Sequence, residues 1–295
     1  MEKIKVDLVV NEDLDNEEKM LRYVLEDEEV QAFVLKKFID EKTIRKCIGK
    51  LYDFVTDKEY CKKCPGIEFC EKNNPCLISC LLYKNGHIET ELSPCKKYLA
   101  KVALRKRFIY NDFPEEWFAY SLKEIDKTKG RVSVLNAYLD ILKGNSDSWL
   151  YLKGAQDSGL SFLAASICID FANRKKASVA FINTKDKIED LAKNYYKDKD
   201  YFDEEMYKLG NAKVLVFDDF MEENKNNLVR DQIILPLIKY RYNKNLLTIF
   251  TSKNPINKIK VNYATSKSGE ENALILYKLI KEKSKEITLS EIGVY

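Results

Sequence analysis

The sequence predicts an α/β protein in which a parallel sheet is sandwiched by helices and is preceded by a small, mostly helical domain. From about residue 131 onward, short apolar runs alternate with amphipathic helical patterns, which is typical of parallel strands joined by helices. Upstream of that region, apolar residues at helical spacing lead into a cluster of cysteines. This arrangement indicates a separate small domain built around a metal ion.

The N-terminal domain is predicted to begin with helices. Apolar residues recur three and four positions apart along two segments, so each segment is expected to bury one face of a helix. The positions are Val30, Phe33, Val34 and Phe38 in the first segment and Ile44, Ile48, Leu51, Tyr52 and Val55 in the second. Together with the cysteine cluster, these helices predict one compact domain over residues 1–97.

The cysteine cluster is the strongest chemical signal in this domain. Six of the eight cysteines follow the spacing C-x2-C-x5-C-x5-C-x3-C-x14-C from Cys61 to Cys95. In a reducing compartment this spacing favours metal ligation over disulfides, and zinc is usually held by four ligands in a tetrahedron. Cys61 and Cys64 form a knuckle, and a hairpin turning at Asn85 and Gly86 would return Cys95 toward them. The spacing leaves open which four cysteines bind, and whether they hold zinc or an iron–sulfur cluster.

Residues 98–130 are predicted to form a linker, because the segment starts as a basic helix and breaks near Asp112, Phe113 and Pro114. The α/β domain then occupies residues 131–295. Its helices are predicted at 132–143, 159–173, 185–208, 228–241 and 270–283, and its strands at 149–152, 177–182, 213–217 and 246–251.

The segment after the first of these strands has the layout of a phosphate-binding loop. The strand is followed by Gly154, four further residues, and then Gly159, Leu160 and Ser161 at the start of a helical pattern. The order matches strand, G-x-x-x-x-G-K-[ST], helix, except that leucine occupies the lysine position. These four residues are the candidate nucleotide-binding positions.

Two acidic residues supply a second part of a nucleotide site. The stretch "VLVFDDF" reads as a buried strand that ends in Asp218 and Asp219. In a parallel sheet such a strand delivers both carboxylates to the carboxyl edge, where Mg²⁺ and phosphates bind.

Charge and hydropathy restrict the setting of the protein. Residues 1–60 contain 11 Lys and Arg against 16 Asp and Glu, so the N-terminal segment is acidic and the rest of the chain is mildly basic. No apolar run reaches the roughly 18–20 residues needed to cross a bilayer, and the acidic N-terminus does not have the pattern of a signal peptide. We therefore expect a cytoplasmic protein without a membrane partner. The basic stretches 101–107 and 239–244 interleave charge with apolar or aromatic residues, as single-strand binders do.

The chain resembles the bacterial helicase loaders of the DnaI/DnaC type, which are members of the AAA+ class. In the C-terminal half, the resemblance rests on the phosphate-loop layout and on "VLVFDD", "VRDQIILPLIKYR", "TIFTSKN" and "SKSGEENA". In the N-terminal half, it rests on "VQAF", "KLYDF", "CKKCPGIEFC", "GHIETELSPC" and "NDFPEEWF". The motifs occur in the same order over nearly the whole chain.

This resemblance implies a role for each part. Residues 1–97 would form a zinc domain that grips the replicative helicase hexamer, residues 98–130 a linker, and residues 131–295 an AAA+ domain. The family's spacing implies zinc ligands at Cys61, Cys64, Cys70 and Cys95, with Cys76 and Cys80 as alternates. Asp218, Asp219 and Arg241 would be catalytic, with Arg241 as the finger-like residue that reaches a neighbouring subunit's nucleotide. Single-stranded DNA and further copies of the chain are the other implied partners.

The candidate nucleotide site also departs from the family's pattern. Leu160 replaces the loop lysine, and Asp157 stands where glycine is usual. Lys253 replaces the sensor asparagine, and Ile275 the arginine of the late helix. Because lysine and inward-facing amides neutralise phosphate charge, we expect a primosomal helicase loader whose ATP and Mg²⁺ binding is doubtful and whose ATPase activity is weak or lost. The alternatives are an active ATPase loader that tolerates the altered loop, with Lys253 in place of the lost lysine, and a zinc-bearing interaction protein not tied to replication.

Overall fold

The computed structural model describes residues 16–64, 66–265 and 267–290, and the chain divides between residues 102 and 103 into two compact units. The N-terminal unit is mostly helical, with one antiparallel hairpin. Its elements are α1 (Asn16–Glu26), α2 (Glu28–Lys37), α3 (Glu41–Lys46), α4 (Ile48–Lys62), β1 (Leu77–Lys84) and β2 (His87–Pro94), and α5 (Lys96–Arg105) crosses the boundary into the next unit.

The predicted helices of this unit bury most of the predicted faces, but Tyr52 on α4 is 39% exposed and Phe38 is not buried either. Val30 and Val34 on α2 join Leu51 and Val55 on α4 in one apolar core. Phe38, the last apolar position of the first segment, instead follows the end of α2 and is 94% exposed. The helical pattern is therefore confirmed, whereas the burial of Phe38 and Tyr52 is not.

The hairpin that the sequence predicts is also confirmed. Lys84 pairs with His87, and the two turn residues Asn85 and Gly86 have φ values of 50° and 76°, as a two-residue hairpin turn requires. At the open end of the hairpin, the Cys95 amide donates to the Cys76 carbonyl oxygen at 2.8 Å. The turn thus returns the last cysteine of the cluster to the others.

The C-terminal unit is built on a six-stranded parallel sheet, which confirms the predicted α/β class. The strand order is β3-β5-β6-β7-β4-β8. The strands are β3 (Phe108–Asn111), β4 (Trp149–Gly154), β5 (Val179–Asn183), β6 (Val214–Asp218), β7 (Leu247–Ser252) and β8 (Ser284–Leu289). The four central strands are the four predicted ones, and the two edge strands were not predicted.

Helices cover both faces of this sheet, and each face has its own apolar core. One face carries α6 (Lys129–Lys143) and α7 (Leu160–Lys175). The other carries α8 (Thr184–Asn194), α9 (Lys199–Asn211), a π-helical turn (Val229–Ile234) that continues as α10 (Leu235–Asn243), α11 (Ile259–Asn262) and α12 (Glu270–Lys283). In the part of the chain that the structure describes, no helix is long and apolar enough to cross a membrane.

The predicted linker, residues 98–130, differs most from the structure. From residue 103 onward this segment belongs to the C-terminal unit, and β3 pairs with β5. The reason is aromatic burial: Phe108 and Phe113 pack edge to face, and Phe113 also packs on Phe181 of β5. The break at Pro114 is followed by a short 3-10 turn (Glu115–Ala119) that packs against the same core. From residue 103 onward the segment is therefore an ordered part of the C-terminal unit, with one strand in its sheet, rather than a free connection.

Candidate nucleotide site and cysteine cavity

The ends of three neighbouring strands meet at the carboxyl edge of the sheet, where the candidate nucleotide site lies. Asp218 ends β6, Thr251 lies near the end of β7, and Ser161 is in the first turn of α7, which follows β4. The Thr251 hydroxyl donates to Asp218 Oδ1 at 2.6 Å, and Ser161 also hydrogen-bonds to this carboxylate. The structure therefore brings Ser161 and Asp218 together, as the topology predicts. Thr251 is a contributor that the sequence shows only as the polar end of a buried strand.

The loop between β4 and α7 folds tightly back on itself. Its central residues form a 3-10 turn, and the buried Ser158 donates from its hydroxyl to the Ala155 carbonyl oxygen at 2.6 Å. A Cβ at position 154 would lie 2.5 Å from Ser158 Oγ and 2.7 Å from the Leu289 carbonyl oxygen, so only glycine fits there. Gly159 has a φ of 76° at the start of α7, a conformation that glycine adopts without strain. Both loop glycines thus have a structural reason to be present.

The substituted positions of this loop have contrasting surroundings. Leu160, in the lysine position, is 6% exposed and joins the apolar core beside α6 and α7. Asp157 is exposed on the loop. The loop therefore presents a carboxylate to solvent, and the residue in the lysine position packs into the interior.

The acidic pair at the end of β6 is held by the neighbouring strand. Asp218 is 6% exposed, and this burial raises the pKa of its carboxyl to about 6. The nearby charges of Asp219 and Asp112 also raise this pKa, whereas the hydrogen bonds from Thr251 and Ser161 lower it. Asp219 has a φ of 54°, and its amide donates to Thr251 Oγ1 at 2.9 Å. An aspartate held this way is poised to accept a cation, since a nearby positive charge would favour its ionised form.

Asp218→Asn is expected to raise the free energy of unfolding at pH 7 by about 1–3 kcal/mol. With a folded-state pKa of about 6, above the ordinary 3.8, the folded protein retains a proton between these values that the unfolded chain has lost. The stability of the native protein should therefore fall as the pH rises through this range, and asparagine should remove the fall. Urea unfolding at both ends of the range measures this difference, and identical pH profiles for the two proteins would contradict it.

The finger-like role predicted for Arg241 is not compatible with its position. Arg241 is fully buried in α10, and burial lowers the pKa of its guanidinium to about 9. It donates to Thr248 Oγ1 and to four main-chain carbonyl oxygens, those of Leu209, Gly210, Ala212 and Leu247. The acceptors lie at the end of α9 and at the start of β7, and both places are at the amino edge of the sheet. Arg241 is therefore a structural residue, and its N–H groups are committed to this unit.

Arg230, at the other end of the same helical stretch, is a second buried arginine. Its Nε and Nη2 donate to the two carboxylate oxygens of Asp231 at 2.6 and 2.7 Å, and its Nη1 donates to the Tyr263 carbonyl oxygen at 2.8 Å. A Cβ at Gly269 would lie 2.2 Å from Arg230 Nη1, so the chain entering α12 needs glycine to pass this close. The motif "VRD" thus fixes the segment before α12 to the π-helical turn.

The cysteine cluster of the N-terminal unit faces a cavity of about 250 Å³. All four predicted ligands line it, together with one predicted alternate: Cys61, Cys64, Cys70, Cys95 and Cys76. Thiolates are ligands that zinc prefers, so the donor chemistry of this cavity fits a zinc ion. Among residues 16–64, 66–265 and 267–290, however, no three His, Cys, Asp or Glu side chains are placed so that they could hold an ion. The ligand set therefore stays a prediction.

The individual thiols of this cluster have different surroundings. The Cys76 amide donates to Cys70 Sγ at 3.4 Å, and backbone hydrogen bonds from Cys76 and Lys72 lower the pKa of the Cys70 thiol. Burial raises the pKa of the Cys76 thiol instead. Cys80 lines a neighbouring cavity with Cys61. The thiols of Cys70 and Cys76 thus have different electrostatic surroundings, and Cys80 does not line the cavity that the other five cysteines line.

Comparisons with known proteins agree with the order of these features along the chain. Residues 1–91 match the family described as the primosomal protein DnaI N-terminus. The chain is 25% identical over 279 residues to the replicative helicase loader DnaI of Bacillus subtilis (strain 168), an alignment that covers 90% of this chain and 87% of the relative.

Solved structures show the same fold. A chain from Streptococcus pyogenes serotype M3, described as a primosome component, superposes with a TM-score of 0.53 at 21% identity, covering 66% of this chain and 98% of that one. A crystal structure of DnaI gives a TM-score of 0.53 at 20% identity, covering 64% of this chain and 97% of that one. These structures therefore share a fold with this chain, in agreement with the α/β class that the sequence predicts.

Proposed function

We propose that this chain, a replicative helicase loader of the DnaI/DnaC type, binds the helicase through its N-terminal unit and carries an AAA+ unit with little or no coupling to ATP. The observation that supports this proposal most is the order of the two matches. A DnaI N-terminal match covers residues 1–91, and a loader relative spans 90% of the chain. The helicase-binding half and the AAA+ half are therefore both represented in one chain.

The cysteine cavity gives the N-terminal unit its structural role in this proposal. Cys61, Cys64, Cys70 and Cys95 would hold one zinc ion, which supplies folding free energy rather than catalysis. Lys72 lies beside this cavity, where it pairs with Asp57 at 2.5 Å and donates to the Leu77 carbonyl oxygen at 2.5 Å. This lysine connects the end of α4 to the start of the hairpin, and these contacts would hold in place the two elements that flank the cysteines.

The carboxyl edge of the C-terminal unit supports the loss of nucleotide coupling. Asp157, Asp218, Asp219 and Asp112 lie at this edge, and the buried Leu160 fills the lysine position of the loop. A nucleotide's phosphates would therefore lie near carboxylates, whereas phosphate binding requires a positive point charge and backbone amides that face the phosphates. The runner-up, an active ATPase, is favoured by the retained contacts of Asp218 with Thr251 and Ser161.

The turn after α2 offers a contact point for the helicase. Phe38 is 94% exposed with a φ of 53°, and Leu35, three residues earlier, is 51% exposed. The Phe38 amide donates to the Leu35 carbonyl oxygen at 3.3 Å, and the Ile39 amide donates to that of Val34 at 3.1 Å. This is the hydrogen-bond pattern of a helix end that normally places glycine at the position of Phe38.

An aromatic residue at that position destabilises the free protein. The left-handed conformation costs a residue with a Cβ roughly 1–2 kcal/mol, and the exposed ring recovers none of this by packing. Large aromatic residues dominate the binding free energy of protein interfaces. We therefore assign Phe38, with Leu35 beside it, as the apolar contact to a shallow pocket of the helicase. The flanking Lys36 and Lys37 would meet acidic groups at the rim of that pocket.

Phe38→Gly in the full chain is expected to separate stability from function. The free energy of unfolding should stay constant or rise by up to about 1 kcal/mol, because glycine adopts the left-handed conformation freely. Affinity for the replicative helicase should fall by at least about tenfold, since removal of a central aromatic contact commonly costs 2 kcal/mol or more. Urea unfolding and titration of labelled helicase hexamer measure the two effects, each with and without ATP.

The matched control is Tyr196→Ala, which removes an aromatic side chain that is 83% exposed in the C-terminal unit. It should leave helicase affinity unchanged. Helicase affinity that is equal in Phe38→Gly and the unaltered protein would refute this contact surface. Absence of helicase binding in the unaltered protein would refute the proposed function itself.

A further inference from the structure

A largely enclosed lysine lies among the thiols of the cysteine cavity. Lys72 lines this cavity, and its side chain is only 9% exposed. Two other lysines that line the cavity, Lys96 and Lys97, are exposed. A lysine side chain seldom leaves solvent to this extent unless other groups hold its charge. The partners of Lys72 therefore indicate what its ammonium group does in the cavity.

The Lys72 ammonium group has three acceptors within the described residues. Its Nζ pairs with Asp57 Oδ1 at 2.5 Å, donates to the Leu77 carbonyl oxygen at 2.5 Å and donates to Cys61 Sγ at 3.6 Å. A lysine ammonium has three N–H groups, so this number of acceptors matches its full capacity. The ammonium group is therefore held in one place, and one of its contacts is to the sulfur of a predicted zinc ligand.

The main chain of Lys72 contacts a second predicted ligand. A backbone hydrogen bond joins Lys72 to the thiol of Cys70, two residues earlier. One residue thus contacts two of the four predicted ligands, Cys61 through its side chain and Cys70 through its main chain. Residues that hydrogen-bond to metal ligands fix the orientation of those ligands, and their removal typically lowers metal affinity about 10–100-fold.

The carboxylate of Asp57 determines where the charge of this lysine lies. Asp57 precedes Cys61 by four residues on α4, so the two side chains lie on one face of the helix. Asp57 Oδ2 also accepts from the Ser79 amide of β1 at 3.2 Å. The carboxylate is therefore anchored independently of Lys72, and it holds the ammonium group next to the Cys61 sulfur.

The sign of the charge decides how Lys72 would affect a bound metal. Four cysteine thiolates around one zinc ion carry a net negative charge, which is costly to enclose without a positive partner. An ammonium group repels a lone cation but attracts such an anionic complex, and here its contact is to a ligand sulfur. The carboxylate of Asp57 offsets part of this attraction. Lys72 should therefore favour the zinc-bound state, and more strongly when the carboxylate charge is removed.

We infer, on the basis of the zinc ligands proposed above, that Lys72 is a positioning residue of the metal centre. Its ammonium group orients the Cys61 thiolate and offsets the negative charge of the four ligands. The competing explanation is a structural tie, in which Lys72 only joins Asp57 on α4 to Leu77 on β1. The two explanations differ for Asp57→Asn, because asparagine keeps an acceptor for Lys72 and for the Ser79 amide but removes the carboxylate charge.

The test measures the zinc affinity of the full chain at neutral pH by competition with a chromophoric chelator. Lys72→Met keeps an unbranched side chain without the charge, and it should weaken zinc binding about 10–100-fold. Iodoacetamide should also release zinc faster from this variant, because no ammonium group engages the Cys61 sulfur. Asp57→Asn should bind zinc at least as tightly as the unaltered protein. Circular dichroism with excess zinc checks that each variant is folded.

Lys58→Met is the matched control. Lys58 lies on the same helix and pairs with Asp27 and Glu29 at 2.8 and 3.0 Å. Its replacement therefore removes one positive charge and one ion-paired tie from the same unit, as Lys72→Met does. Zinc affinity and the rate of zinc release should stay close to those of the unaltered protein.

The outcomes separate the positioning role from the structural tie. Weaker zinc binding in Lys72→Met, with Asp57→Asn and Lys58→Met at or above the affinity of the unaltered protein, supports the positioning role. Equal zinc affinity in Lys72→Met and the unaltered protein overturns it. A loss in Asp57→Asn also overturns it, because a tie would then suffice, and this arm decides even if Lys72→Met does not fold. An unaltered protein that binds no zinc would refute the proposed ligand set, and the positioning role with it.

Discussion

Cys64→Ser is expected to unfold the N-terminal unit while the C-terminal unit stays folded. Structural zinc contributes folding free energy on the order of 10 kcal/mol, which exceeds what a small helical unit can lose. Among the residues that the structure describes, the apolar core of this unit contains eleven buried residues, and the cysteine cavity lies outside it. The described part of the segment between α4 and the hairpin contributes no residue to this core, and the contacts that the structure shows for it are polar, such as those of Lys72 with Asp57 and Leu77.

The two tryptophans make this outcome easy to measure. Trp117 and Trp149 both belong to the C-terminal unit, so tryptophan fluorescence reports on that unit alone. Circular dichroism should show a loss of helix in Cys64→Ser, while tryptophan emission and its thermal transition stay unchanged. Elemental analysis should find one zinc per chain in the unaltered protein and none in the variant.

Cys80→Ser is the matched control, because Cys80 lines the neighbouring cavity rather than the one that holds the predicted ligands. It should retain zinc and a folded N-terminal unit. A folded, zinc-containing Cys64→Ser protein would show that the ligand set is wrong. Iron with a visible chromophore in the unaltered protein would instead indicate a cluster.

The strands that the sequence revealed are those that the sheet buries on both faces. β6 begins with four consecutive apolar residues, and β7 is buried along five of its six residues, so a short, largely apolar pattern identifies both strands. β3 and β8 are edge strands, four and six residues long, that mix polar and apolar residues. Their strand character comes from pairing with β5 and β4, which is a tertiary effect that the local pattern does not contain. For this reason the segment around β3 was predicted to be a linker.

The candidate site shows the same limit. The meeting of Ser161 with Asp218 follows from strand topology, because carboxyl ends of parallel strands share one edge. The burial of Arg241 does not follow from sequence, because an arginine at a helix end can face solvent or turn inward with equal local preference. Its inward course depends on the carbonyl groups at the end of α9, more than 25 residues earlier in the chain.

The unaltered protein is expected to hydrolyse ATP at a rate indistinguishable from background. Removing one preorganised electrostatic contributor typically lowers an enzyme's rate about 10²–10³-fold, and here the loop lysine, the sensor asparagine and the late-helix arginine are replaced. The rate losses from separate substitutions cannot simply be multiplied, but each of them lowers the rate of hydrolysis. The burial of Leu160 and the exposure of Asp157 add to them, because the loop offers phosphate a carboxylate without a compensating charge.

Restoring the loop gives the sharper test of this expectation. Leu160→Lys with Asp157→Gly should raise the affinity for a fluorescent ATP analogue by at least about tenfold, since a lysine stem can follow the apolar wall while its ammonium reaches the loop. The same change should lower thermal stability, because it removes a core leucine. Asp218→Asn should leave the background rate of the unaltered protein unchanged. Turnover in the unaltered protein that Asp218→Asn abolishes would show an active site, and Lys253, exposed beyond the end of β7, would then be the residue to replace first.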